Sequence, residues 1–276
     1  IADSGVDRAR IVGVGVAAPG PLDAERGTVM DPPKLPGWHG VELRAELSQA
    51  TALPVLLEKD TTAAAVGELW TGRGPVDDSF VFLYLGTGIG AAIVRDGEAV
   101  RGSTHNVGEI GHIVVDPDGP RCSCGLRGCV DVVCTPLAIV AAAERQGLFA
   151  QDRVVADVEE VDARLTALSA QAAAGDAAAL SVLRGSAAPV ATLTRVLTDL
   201  LDVDRVVFGG PSWARLADVY LAEIPPLLQR SSATRALRSL PVDGTVVGDD
   251  VGAVGAGCAV LDSMLAPRAS DLLLGD

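Results

Sequence analysis

Apolar positions along this chain repeat in two ways, and the two alternate. Ile11-Val12-Gly13-Val14-Gly15-Val16-Ala17 is an unbroken apolar run of strand length, closed by Pro19-Gly20-Pro21, which predicts a buried strand and then a loop. Residues 53–57 predict a second short buried strand. Residues 61–70 carry a helical period that Thr61 or Thr62 is placed to cap. Strands are expected over 79–85 and 91–94, on either side of the loop Gly86-Thr87-Gly88-Ile89-Gly90, and Asp96-Gly97 marks a hairpin turn. Ala- and Leu-rich helices follow over 136–145, 161–174 and 177–201, with the more polar stretch 147–160 read as a surface excursion. A strand over 203–208 runs into Gly209-Gly210. A helix over 214–229 should be bent or interrupted by Pro225-Pro226. A short strand at 245–247 and a helix over 251–265 complete the pattern. Strands alternating with helices define an α/β class with buried sheets.

Length and composition narrow this picture. The 276 residues leave room for one large domain or two lobes. Aromatic residues are scarce at 3%, so small-residue packing of helices on sheets is expected and an aromatic stacking platform is not. The net charge of -14 repels phosphate backbones, which excludes nucleic-acid binding by these residues themselves. No apolar run reaches the ~18 residues of a membrane span and no secretion signal is recognisable. A cytoplasmic location without a membrane partner is therefore expected. The chain starts at Ile1 and enters strand-like sequence almost at once, which suggests a portion of a longer protein.

Five cysteines occur, three of them as Cys122-x-Cys124-x4-Cys129. An odd, clustered set without a secretion signal reads as metal binding in a reducing compartment. Gly125 and Gly128 let the three thiolates converge, and His112, ten residues before Cys122, completes a tetrahedral set. Four protein ligands leave no open position, so the zinc would be structural. The alternative is buried thiols without metal, which is how Cys134 and Cys258 are read. Asp60 follows a buried strand and precedes a helix, where open α/β sheets bind ligands. It is either a proton acceptor for a substrate hydroxyl or a helix cap. The Gly86–Gly90 loop is either a phosphate cradle or a glycine-rich hairpin.

Taken in order, these segments resemble the ROK family of repressors, open reading frames and sugar kinases. The resemblance rests on Gly13 to Gly20, Leu35-Pro36-Gly37-Trp38, Glu58-Lys59-Asp60-Thr61-Thr62-Ala63-Ala64-Ala65, Leu85 to Gly90, Gly108-Glu109-Ile110-Gly111-His112, Asp116 to Pro120, the cysteines and Gly209-Gly210. It implies an actin-like, sugar-kinase-type fold with a structural zinc loop. The smaller lobe would hold residues 1–62 and 252–276, and the larger lobe residues 63–251. It further implies Asp60 as the kinase base, and Gly20, Lys59, Asp60, Glu109, His112 and Asp131 around a sugar or sugar phosphate. His112 would use its other nitrogen on zinc. Gly86, Thr87, Gly88, Gly209 and Gly210 would meet ATP, with magnesium, if the protein is a kinase. A homodimer or homotetramer is also implied.

Three positions depart from the kinase pattern. Lys59 and Lys34 stand where asparagine is usual, and Asp131 where glutamate is usual. Lysine is a flexible cation with no acceptor, so Lys59 either lowers the pKa of Asp60, or pairs with an anionic ligand, or points to solvent. The kinase phosphate loop Asp-x-Gly-Gly-Thr does not occur in these residues. The expectation is therefore a sugar-responsive transcriptional regulator whose DNA contact is made by a domain outside this chain. An ATP-dependent kinase for glucose or an N-acetylhexosamine is the alternative.

Overall fold

The computed structural model describes residues 5–149 except 73, 76 and 77, together with 157–231 and 239–265. Residues 150–156 of the expected surface excursion, and the ends of the proposed smaller lobe at 1–4 and 266–276, lie outside the described residues. Strand β1 (Val14–Ala18) pairs in parallel with β4 (Val55–Lys59). A short hairpin, β2 (Leu22–Asp23) with β3 (Thr28–Val29), and helix α1 (Leu43–Thr51) lie between them in sequence. Helix α2 (Asp60–Thr71) follows β4 directly.

The larger sheet has the order β7-β6-β5-β8-β9, built from β5 (Phe80–Leu85), β6 (Ile89–Arg95), β7 (Glu98–Val100), β8 (Arg205–Gly209) and β9 (Val242–Gly244). β5, β8 and β9 run parallel, while β6 and β7 are antiparallel. One face carries α3 (Val130–Val133), α4 (Pro136–Arg145), α5 (Val158–Ala173), α6 (Ala177–Leu201) and α7 (Ala217–Ser231), with Leu83, Leu85, Leu165, Leu193, Phe208 and Tyr220 in the shared core. The other face buries Phe80 and Phe82 against α2 and α8 (Val251–Leu265).

The scarcity of aromatics has its physical counterpart in α8. A methyl added to Gly255 would lie 1.9 Å from the carbonyl oxygen of Ala63 in α2, and one added to Gly15 would lie 1.9 Å from that of Ala256. Backbone is therefore in contact with backbone, so α8 can touch α2 and β1 at once.

Three expectations are corrected. Neither Thr61 nor Thr62 caps α2. Lys59 holds the cap position without a side-chain bond, and Asp60 Oδ1 accepts the Thr61 N–H at 2.7 Å. Both threonine hydroxyls are buried without a hydrogen-bond partner. The strand expected at 245–247 forms at Val242–Gly244; the Thr245 N–H still donates to Phe208 O at 2.7 Å, and beyond it Glu68 Oε2 accepts the Val246 N–H at 3.3 Å and the Thr245 hydroxyl at 2.9 Å. Finally, α7 runs unbroken through Pro225 and Pro226. Leu216, Tyr220, Ile224 and Leu228 are buried at four-residue spacing, and that anchored stripe outweighs the missing N–H donors.

Candidate active site

β4 runs parallel to β1 in one sheet and β8 parallel to β5 in the other, and the start of α2 after β4 meets the loop after β5, where a methyl on Gly90 would come 2.6 Å from Thr61 Cγ2. Asp60 begins α2 at the end of β4. Its pKa is raised from 3.8 to about 6, chiefly because burial disfavours the charge; the Thr61 N–H and the Lys59 ammonium pull it down, and Glu109 pushes it up. A carboxyl poised near neutrality suits proton acceptance. Tyr84, one residue before the end of β5, faces Asp60; burial, with Asp60 second, lifts its phenol to about 12.

Lys59 does not point to solvent. Its side chain is 3% exposed, and Nζ donates to Glu109 Oε1 at 2.6 Å and to Val107 O at 2.9 Å. Gly20 lies over this pair. A methyl there would come 3.0 Å from Glu109 Oε1, 3.2 Å from Asn106 Oδ1 and 3.4 Å from Lys59 Cε. Asn106 is a residue the sequence reading missed. Its side-chain amide bonds Leu22 both ways, accepting from N–H at 2.7 Å and donating to O at 2.8 Å, and so ties the glycine-rich loop to the segment carrying Gly20. No pattern near position 106 signals this, since its partner is 84 residues away.

Asp131 and Lys34 pair beside the Gly86–Gly90 loop. Lys34 Nζ lies 3.2 Å from Asp131 Oδ1, and its Cε is 4.0 Å from where a methyl on Gly88 would sit. The Asp131 N–H donates to Gly111 O at 2.9 Å, so the pair adjoins the His112 loop. That loop is seated by Gly108, at φ +86, where a side chain would meet Ala91 O at 1.8 Å.

The glycine loop is partly self-satisfied. The Gly86 N–H donates to Gly88 O at 2.9 Å, whereas the space over Gly88 is open apart from Lys34. Gly210, at φ +103, lies against the Leu85 backbone, and Ser212 Oγ donates to Gly86 O at 3.2 Å. Parallel pairing of β5 with β8 thus brings Gly86 to Gly88 beside Gly209-Gly210.

The ligand atoms of His112, Cys122, Cys124 and Cys129 all lie within 4.8 Å of one another. Cys124 and Cys129 Sγ are 3.6 Å apart, and Cys122 Sγ is 3.5 Å from His112 Nδ1. Tetrahedral zinc with bonds of ~2.3 Å needs sulfurs about 3.8 Å apart, so the residues fit that ion. The Cys124 backbone N–H helps lower the Cys122 thiol to about 7. The loop forms locally: Cys122 N–H donates to Leu126 O, and Gly128 packs on the Asp116 carbonyl where any side chain would clash. Cys134 is a core thiol, as expected, and Cys258 is half-buried. A larger groove of about 830 Å³ runs from Lys34 and Asp131 between α4 and α6. Asp60 and Glu109 do not line it.

Fold and site together describe an α/β protein of the sugar-kinase type, with carboxylates and paired cations at the ends of parallel strands. The chain belongs to the ROK family, whose profile matches residues 3–263. It is 44% identical over 126 residues to the glucokinase of Thermotoga maritima, a match covering 46% of this chain and 40% of that protein. Among solved structures it is similar to a ROK glucokinase from Streptomyces griseus in complex with glucose and AMPPNP (TM-score 0.74, 30% identity, 89% of this chain, 80% of that one). It is also similar to a ROK transcriptional regulator described as a homologue of the E. coli Mlc protein (TM-score 0.73, 25% identity, 91% of this chain, 63% of that one). Among the described residues no helix is long and apolar enough to cross a membrane.

Proposed function

We propose that this chain carries the active site of an ATP-dependent sugar kinase. The observation that carries it is Asp60, a carboxyl raised to about 6 at the end of β4, flanked by Glu109 and by the glycine loop of β5. In this reading the sugar lies between Gly20, Lys59 and Glu109 on one side and Asp131 and His112 on the other. Asp60 accepts the proton of the hydroxyl that attacks the terminal phosphorus of ATP. ATP with magnesium supplies the phosphoryl group. Gly86, Thr87, Gly88, Gly209 and Gly210 face its phosphates, and the open space over Gly88 suits that role. Zinc on His112, Cys122, Cys124 and Cys129 does no chemistry and fixes the loop that presents Glu109 and His112. The lobe division near residues 62 and 251 is retained within this reading, although both positions fall at the starts of packed helices.

A coupled assay for sugar-dependent ADP release by the full-length protein tests this. Turnover is expected, with Asp60→Asn slower by about 10²–10⁴-fold, the usual size of a general-base contribution. The regulator reading takes second place, supported by the near-equal likeness to the regulator structure. It would displace the first if no sugar drove ADP release while a sugar altered DNA binding by the full-length protein.

A further inference from the structure

The side chain of Lys34 lies over the glycine loop that follows β5. Its Cε is 4.0 Å from where a methyl on Gly88 would sit, and among the described residues nothing else beyond the loop's own neighbouring residues comes that close to the point. We propose that Lys34 is a phosphate-binding residue, whose ammonium meets the terminal phosphates of ATP above Gly88. This rests on the kinase reading of the site, and it gives a role to a lysine that stands where asparagine is usual.

The loop has donors to spare. The Gly86 N–H is used on Gly88 O at 2.9 Å, but Thr87 and Gly88 donate theirs to no described residue. Unspent backbone donors beside an ammonium are the parts of an anion cradle. Charge points the same way. The side chains nearest to Gly86, Gly90 and Gly209 are Tyr84, Thr61, Phe82 and Thr245, none of them a cation, so Lys34 supplies the positive charge at this loop. A triphosphate brought to a chain at -14 needs that charge to offset repulsion. The place along the loop also fits. Thr61, directly after Asp60, reaches the Gly90 end, where a methyl would come 2.6 Å from its Cγ2. Ser212 holds the other end through Gly86 O at 3.2 Å. Gly88 lies between them, and the phosphoryl group that meets a hydroxyl activated by Asp60 has to lie towards the Gly90 end. Finally, the ammonium is available. Its ion-pair partner among the described residues is Asp131 Oδ1 at 3.2 Å, and the two side chains are 44% and 32% exposed. A pair so open to water contributes little, so exchanging the carboxylate for a phosphate costs little. The long flexible stem of lysine lets the ammonium make that move.

The test is isothermal titration of the full-length protein with AMPPNP and magnesium, for the wild type, Lys34→Met and Asp131→Asn. Lys34→Met keeps the length of the side chain and removes its charge. It should weaken AMPPNP binding about tenfold or more, the usual scale of a charge-assisted hydrogen bond. The loss should shrink as salt rises. Asp131→Asn releases the ammonium from its partner, so it should bind AMPPNP at least as tightly as the wild type does. Both positions are partly exposed, and thermal melts check that each variant is folded. Affinity in Lys34→Met within about threefold of the wild type overturns the proposal and leaves the kinase reading standing. So does an Asp131→Asn variant weakened as much as Lys34→Met, because the pair would then only brace the loop. If the wild type itself binds no AMPPNP, the kinase reading falls and takes this proposal with it.

Discussion

Replacing Asp60 by Asn should make this protein more stable at neutral pH while slowing the proposed phosphoryl transfer. The carboxyl is raised from 3.8 to about 6, mainly by burial. Each tenfold change in proton affinity is worth ~1.4 kcal/mol, so holding Asp60 ionised costs the folded state about 3 kcal/mol. Because the folded pKa is the higher one, the folded protein grips this proton more tightly than the unfolded chain does. The resulting stabilisation is complete below the unfolded value of 3.8 and is lost as pH rises through about 6. Asn keeps an acceptor for the Thr61 N–H and carries no charge. At neutral pH the variant should gain about 2–3 kcal/mol, on the order of 5 °C in Tm for a chain of this size. Near pH 4 the two proteins should melt together, since wild-type Asp60 is then largely protonated. Thermal melts of both full-length proteins from about pH 4 to 8 measure this difference, and the coupled assay on the same samples measures the activity. A variant less stable at neutral pH, or a difference that does not change with pH, would mean that Asp60 is a well-solvated helix-start residue. The base assignment would then lose its physical ground.

Two further outcomes follow from the packing and the thiol cluster. The full-length protein should carry about one zinc per chain by mass spectrometric metal analysis. Cys129→Ser should release it and lower Tm, whereas Cys134→Ser, away from the cluster, should retain it; a metal-free preparation with unchanged stability would remove the zinc. Gly255→Ala should cost about 1–3 kcal/mol or more, because its methyl would lie 1.9 Å from Ala63 O. Gly257→Ala, two residues along the same helix and facing open space, should be neutral or stabilising by up to about 1 kcal/mol. Equal melting temperatures for the two alanine variants would refute the close approach of α2 and α8.

The sequence alone determined what local pattern determines. Helices α4, α6 and α8 form over the expected residues because each carries a helical apolar period; in the structure Thr135 and Asp176 cap the first two, and Asp202 closes the second. The thiol and imidazole cluster was legible too, since Cys122, Cys124 and Cys129 converge through one short loop and only His112 comes from outside it. The ROK family and its kinase relatives were within reach of the motifs, whereas the preference for a regulator was not sustained by the likeness to glucokinases.

Tertiary structure decided what depends on distant partners. The sequence leaves open whether Lys59 acts on Asp60, pairs with an anionic ligand or points to solvent; the segment some fifty residues on excludes solvent by bringing Val107 O and Glu109 over it. The cap of α2 passed from threonine hydroxyls to Lys59 and Asp60 once the cleft enclosed them. The strand expected at 245–247 does not continue past Thr245, where the Val246 N–H donates to Glu68, 178 residues earlier. α7 keeps its two prolines because Tyr220, Ile224 and Leu228 are fixed in a core that no local window contains. Periodicity and short motifs encode which element forms and where it ends. The charge state of a carboxyl and the partner of a lysine are set by burial and by groups far along the chain, and those exist only after the sheets have brought the loops together.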